Sequence, residues 1–131
     1  MDFLSVILAT IAAFALGAGY YGALAKPWMK AARIPRGPDG RPEGADDKKI
    51  YAIAFVLQLF VVGMMRHVFV LSGIETLGAG IVGGAGIGLF FISPWLALNN
   101  LYGMRPVKLS LIDGGYATLA CAVMGLMLTL F

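Results

Sequence analysis

Charge is what this sequence has least of. Charged residues fill 13% of its 131 positions, about half of the roughly 25% found in soluble domains. Hydrophobic residues make up 60%, and the mean hydropathy is +0.84. A chain so poor in charge cannot cover a water-facing surface, so lipid must be most of its solvent. Cysteine is nearly absent: Cys121 lies alone inside an apolar run, which excludes an intrachain disulfide and says nothing of redox compartment. The one histidine, His67, has no cysteine or carboxylate at ligand spacing, so no metal site is expected. No nucleophile has a neighbouring base and no carboxylates are paired. The sequence therefore reads as a non-enzyme that needs no cofactor. The formal net charge is only +3, and the cations stand beside apolar runs rather than interleaved with aromatics on one face. That pattern excludes nucleic acid and points to anionic lipid headgroups on the cytoplasmic side.

What is abundant is long apolar sequence. A helix needs about 20 apolar residues to cross the hydrocarbon, and four segments supply them: 3–24, 50–71, 77–98 and 109–131. The first is expected to be a retained span rather than a cleaved signal. Asp2 precedes it, its cations Lys26 and Lys30 follow it, and it exceeds the roughly 7–15 residues of a signal core. The expected architecture is an all-α membrane protein, a four-transmembrane-helix bundle forming one domain over 1–131. Its connectors suit antiparallel neighbours.

Cations set the expected orientation. Lys26, Lys30, Arg33, Arg36, Arg41, Lys48 and Lys49 lie in or beside the loop 25–49, and Arg105 and Lys108 follow the third span, whereas the turn after the second has only Glu75. Both cation-rich connectors fall on one side of a four-span chain, which places them in the cytoplasm and both termini on the other side. Within the first connector, Pro27 opens a short helix to about Ile34. The prolines and glycines of 35–44 then break regular structure into a solvated loop, and Asp46 and Asp47 favour the start of the second span's helix.

The third span is rich in glycine. Gly80, Gly84 and Gly88 recur every four residues and give two overlapping G-x-x-x-G steps on one face. Small residues let helix backbones approach in lipid, where little hydrophobic drive brings helices together. Ala9, Ala13 and Gly17 of the first span, or Gly114, Gly115, Ala117, Ala120 and Gly125 of the fourth, offer a matching face, and so does a second copy of the chain.

Ionisable groups inside spans are functional candidates. Arg66 lies 16 residues past Ile50, about 24 Å along the helix. It is thus expected near the outer surface with His67, snorkelling or paired with Glu75. Asp113 enters from the opposite side, which rules out an Arg66–Asp113 ion pair. Ser110-Leu111-Ile112-Asp113 fits a capping pattern with Ser110 as N-cap. Alternatively Pro106 opens the helix, and Asp113 lies deeper, within reach of Asn99, Asn100 or Arg105. Gln58, near mid-membrane, should hydrogen-bond to another helix. Pro94 should kink the third span and make 93–100 the place for a small wet cavity.

Several motifs carry a family resemblance over the full length. They are Leu16-Gly17-Ala18-Gly19-Tyr20-Tyr21-Gly22 before Lys26-Pro27-Trp28-Met29-Lys30; Trp95 with Asn99-Asn100-Leu101-Tyr102 and Arg105-Pro106; and Leu109 to Tyr116 with Met124-Gly125. In these the chain resembles the DUF1761 family of small, mostly bacterial membrane proteins. The resemblance implies a four-span bundle in a bacterial plasma membrane and implies no activity. The family often has asparagine where this chain has Asp113. Together the residues suggest a non-catalytic protein that self-associates, as a homo-oligomer, or serves a larger membrane complex as an accessory subunit. The rival is an oligomeric small-solute or proton permease whose route is lined by Asp113, Asn99, Asn100 and Gln58.

Overall fold

A computed structural model describes residues 2–38, 40–44 and 47–131, and among these the regular structure is helical. Four helical stretches are long and apolar enough to cross a membrane: Phe3–Ala23, Lys48–Ser72, Leu77–Tyr102 and Val107–Leu130. The protein is thus an all-α, four-span bundle of the multi-pass membrane class.

Local chemistry fixes the ends of each element. Helix α1 (Phe3–Ala23) starts at Asp2, whose carboxylate accepts from the Ser5 amide at 3.0 Å. The short α2 (Ala25–Ala32) carries Pro27 in its first turn and stops at Arg33 in the left-handed region, φ 58°. Helix α3 (Lys48–Ser72) is capped by Asp47, which accepts from the Lys49 amide, and ends at Gly73 with φ 70°. A glycine suits that left-handed stop because it lacks a Cβ. Asp46, the other expected capping acid, lies outside the described residues.

The third span runs four residues past its expected end. Helix α4 (Leu77–Ile87) passes through a π-helical turn at Gly88–Ile92 into α5 (Ser93–Tyr102). Pro94 has no amide hydrogen for the carbonyl of Phe90. Beside it, the Ser93 hydroxyl bonds the Gly88 carbonyl at 2.7 Å and reaches Gly114 O on the next span at 3.0 Å. The wider turn and the serine together absorb the proline. Helix α6 (Val107–Leu130) then begins at Pro106, whose extended ψ of 149° makes it the capping residue. Ser110 is therefore inside the helix and does not cap it. This corrects the reading of Ser110 to Asp113 as a capping box: proline's fixed φ is preorganised for a helix start, and it sets the boundary one turn earlier than the serine.

Helix α6 is the central element and packs against every other helix. Its closest neighbour is α4, through the glycine face. A Cβ at Gly80 would stand 2.5 Å from the carbonyl oxygen of Gly125, and one at Gly88 2.6 Å from the Cα of Thr118. At Gly84 it would run into the Cys121 carbonyl. All three glycines thus abut α6 of the same chain. On the opposite flank α1 lays Val6, Ala9 and Ala13 against α6 and α3, in a core closed by Val62, Met65, Phe69, Met124 and Leu128. Those residues fill the half of the bundle away from the cation-rich connectors. Toward the connectors α3 leaves the bundle: it keeps contact with α1, touches α6 lightly and makes no substantial contact with α5.

Candidate functional site

The departure of α3 opens a cavity of about 1160 Å3 in the cation-rich half of the bundle. Its walls are largely apolar. Ala54 and Val61 come from α3, Gly17 and Ala18 from α1, Ile92 and Leu96 from the third span, and Cys121 and Met124 form its floor. The loop after α2 folds back over the mouth. An isolated bridge joins Arg36 to Pro42, the Gly37 amide bonds the Arg41 carbonyl at 2.7 Å, and the Glu43 amide bonds Pro35 O at 2.9 Å. Arg41, Pro42 and Glu43 thereby line the entrance. The loop expected to be merely solvated is part of the cavity wall.

The polar side of the cavity is built from α1, α2, α3 and α6. Asp113 is half-buried on α6, and Tyr21 of α1 donates its hydroxyl to the carboxylate at 2.8 Å. The Trp28 ring packs against Tyr21 beside this carboxylate, and Arg105 acts on it electrostatically from the turn before α6. One helical turn on, the Tyr116 hydroxyl donates to the carbonyl of Ala13 at 2.8 Å and accepts from the Gln58 side-chain amide at 2.6 Å. Tyr20 donates to Ile112 O at 2.6 Å. The rings stack edgewise, with Tyr21 5.2 Å from Tyr116 and 5.5 Å from Trp28 between centroids. Glycine makes this possible on both helices. A Cβ at Gly17 would sit 2.8 Å from the Tyr116 oxygen, and one at Gly115 would sit 2.6 Å from the Tyr20 oxygen. Gln58 Oε1 is buried with no partner.

The expected polar residues therefore separate. Asp113 and Gln58 meet at the cavity, whereas Asn99 and Asn100 do not line it. Asn99 is exposed. Asn100 is buried on α5, where its amide donates to Ser110 Oγ at 3.1 Å and its carbonyl accepts from the Arg105 amide at 2.9 Å. The pair fixes the α5–α6 turn, in which Met104 takes a positive φ of 58°. Of residues 93–100 Leu96 alone lines the cavity, with an apolar side chain, so the polar groups expected there do not form it, and Asp113 does not bond these asparagines. Arg66 is half-buried and His67 and Glu75 are exposed, all at the far end of the bundle from Asp113. No group of three or more metal-ligating side chains gathers among the described residues.

Sequence reasoning passed over Tyr20, Tyr21, Trp28 and Tyr116 as site residues. The available signal was spacing: Asp113 and Tyr116 are three apart and share a helix face, and two adjacent tyrosines close the first span. Tyr116→Phe should destabilise the protein by about 1 kcal/mol, since it removes the bond to Ala13 and the Gln58 amide's acceptor, and interhelical bonds in lipid average about 0.6 kcal/mol. Thermal unfolding in mild detergent measures it, and an unchanged midpoint refutes the network.

No curated protein and no solved structure matches the chain. The model of a protein family of unknown function, DUF1761, matches residues 4–129. Running nearly end to end through the helices and the cavity just described, that match makes the chain a member of the DUF1761 family.

Proposed function

We propose that this is a non-catalytic binding protein of the membrane, which lodges the chain of an amphiphile in the cavity beside α3. One observation carries the reading: an apolar cavity of about 1160 Å3 has polar groups at one end and no substantial α3–α5 contact to wall it off from the bilayer. Small-molecule pockets commonly measure about 300–1,000 Å3, so there is room for a head and a stretch of acyl chain. Void space of this size among lipid-facing helices is filled at lower free energy by hydrocarbon than left empty, because the lining otherwise loses its dispersion partners. The cations of both connectors at the cavity end suggest that the mouth faces the cytoplasm and its anionic lipids, in the bacterial plasma membrane that the family resemblance implies.

The two earlier readings fare differently against this geometry. A permease needs a route past Met124, yet beneath it Val62, Met65, Phe69 and Leu128 are packed and almost wholly buried. Self-association through the glycine ladder needs a free face, and that face is taken by α6. An accessory role in a larger complex is compatible with a lipid-binding module.

Trp28 supplies the test. The protein has two tryptophans, so Trp95→Phe leaves one reporter on the cavity wall. In nanodiscs containing lipids brominated on their acyl chains, Trp28 emission should be quenched, and Ala54→Phe or Ala18→Phe, which fill the cavity, should restore it. Equal quenching in open and filled proteins would overturn the proposal.

A further inference from the structure

The polar end of the cavity holds a buried acceptor with no partner in the protein. The tyrosine hydroxyls there are already used: Tyr21 on Asp113, Tyr116 on the Ala13 carbonyl, and Tyr20 on the Ile112 carbonyl. The acceptors are not. Gln58 Oε1 is buried without a partner, and its orientation is set by the opposite end of the amide, whose NH2 is held by Tyr116 at 2.6 Å. Turning the amide over would aim Oε1 at a hydroxyl whose hydrogen is committed to Ala13. A carboxylate offers about four acceptor positions, so Asp113 keeps capacity beyond Tyr21. The two acceptors flank the same ring pair, because Tyr21 bonds Asp113, Tyr116 bonds Gln58, and the two rings are 5.2 Å apart. An orphaned buried acceptor is costly, and a donor from a ligand removes that cost.

We infer that the cavity selects an amphiphile whose head donates hydrogen bonds, a primary ammonium or a hydroxyl, through the Gln58 amide oxygen and the Asp113 carboxylate. The inference rests on the lipid-binding reading above and adds to it the chemistry of the head. A head that only accepts, or a quaternary ammonium with no hydrogen to give, leaves Gln58 Oε1 unsatisfied. The chain lies along Ala54 and Leu96, on the side where α3 and α5 do not meet.

The test uses the Trp95→Phe protein in phosphatidylcholine nanodiscs carrying a minor fraction of one brominated lipid, with identical brominated chains and different heads. Phosphatidylethanolamine brings a primary ammonium, diacylglycerol a hydroxyl, and phosphatidylcholine neither. Trp28 should be quenched by phosphatidylethanolamine or diacylglycerol at a concentration about fivefold lower than by phosphatidylcholine, the ratio that one hydrogen bond gives. Whichever of the two acts at the lower concentration identifies the head. Asp113→Asn, which keeps the shape and exchanges an acceptor oxygen for a donor, should level the three lipids, as should Gln58→Leu. Equal quenching by all three lipids in the unmodified site overturns the head-group assignment while leaving an occupied cavity. Absence of quenching by any of them overturns both readings. A preference that survives in folded Asp113→Asn and Gln58→Leu proteins also overturns the assignment to these residues.

Discussion

Gly84→Leu should leave the protein without a stable bundle, while Gly86→Leu, two residues away, should fold and melt like the wild type. At Gly84 even a methyl group would run into the Cys121 carbonyl and press on the backbone of Ala122, whereas around Gly86 nothing lies within 4 Å of the same position. Overpacking a core commonly costs about 1–3 kcal/mol because side chains rotate away. Here the obstacle is backbone on both helices and cannot rotate, so the expected cost exceeds about 3 kcal/mol. The loss is not made good elsewhere. In lipid the attraction between α4 and α6 is largely the close contact itself, so moving the helices apart removes the force that joined them. Size-exclusion profiles and thermal melts in mild detergent decide the matter. Matching melts for the two leucine variants would show that the glycine face does not hold α4 to α6.

That contrast also marks where sequence reading reaches its limit. A four-residue glycine spacing is local, so the close-packing face was visible in the chain. Its partner was not, because α1, α6 and a second copy all offered small residues of similar size, and only the folded backbone selects among them. The span count and the shared side of the cationic connectors follow from length and alternation alone, which is why they were legible. Asp113 was visible as an ionisable residue at membrane depth, but its hydrogen-bond partner Tyr21 comes from 92 residues earlier in the chain, and a tyrosine at a span's end looks like any interfacial aromatic. The capping pattern at Ser110 misled because two start signals compete within one turn, and Pro106 is the stronger. The cavity itself has no sequence mark. It arises where α3 turns from the bundle, and the lipid-facing residues Val56, Leu57 and Phe60 look the same whether a neighbour packs beside them or not.

Phe69→Ala separates the sealed half of the bundle from the open one. Phe69 has no solvent exposure, contacts the place where a Cβ at Gly83 would be, and sits in the cluster with Val62, Met65 and Leu128. For a buried phenylalanine in a water-soluble protein, truncation costs about 3–5 kcal/mol, of which part is the transfer of the ring out of water. Here the unfolded helices stay in lipid, as apolar as the core, so that part is small. What remains is the void: at about 24 cal/mol per Å3 and roughly 100 Å3 for the missing ring, the expected loss is about 2 kcal/mol. Unfolding in a denaturing detergent series gives the number, and a loss as large as in soluble cores would show that water reaches the unfolded state. The same variant bears on function. Met65, Met124 and Leu128 still close the floor once the ring is gone, so proton or small-solute flux into proteoliposomes should stay at background for Phe69→Ala as for the wild type. Flux in the wild type that rises in Phe69→Ala would mean that this core is a gate rather than a seal, and the binding-protein reading would give way to the permease.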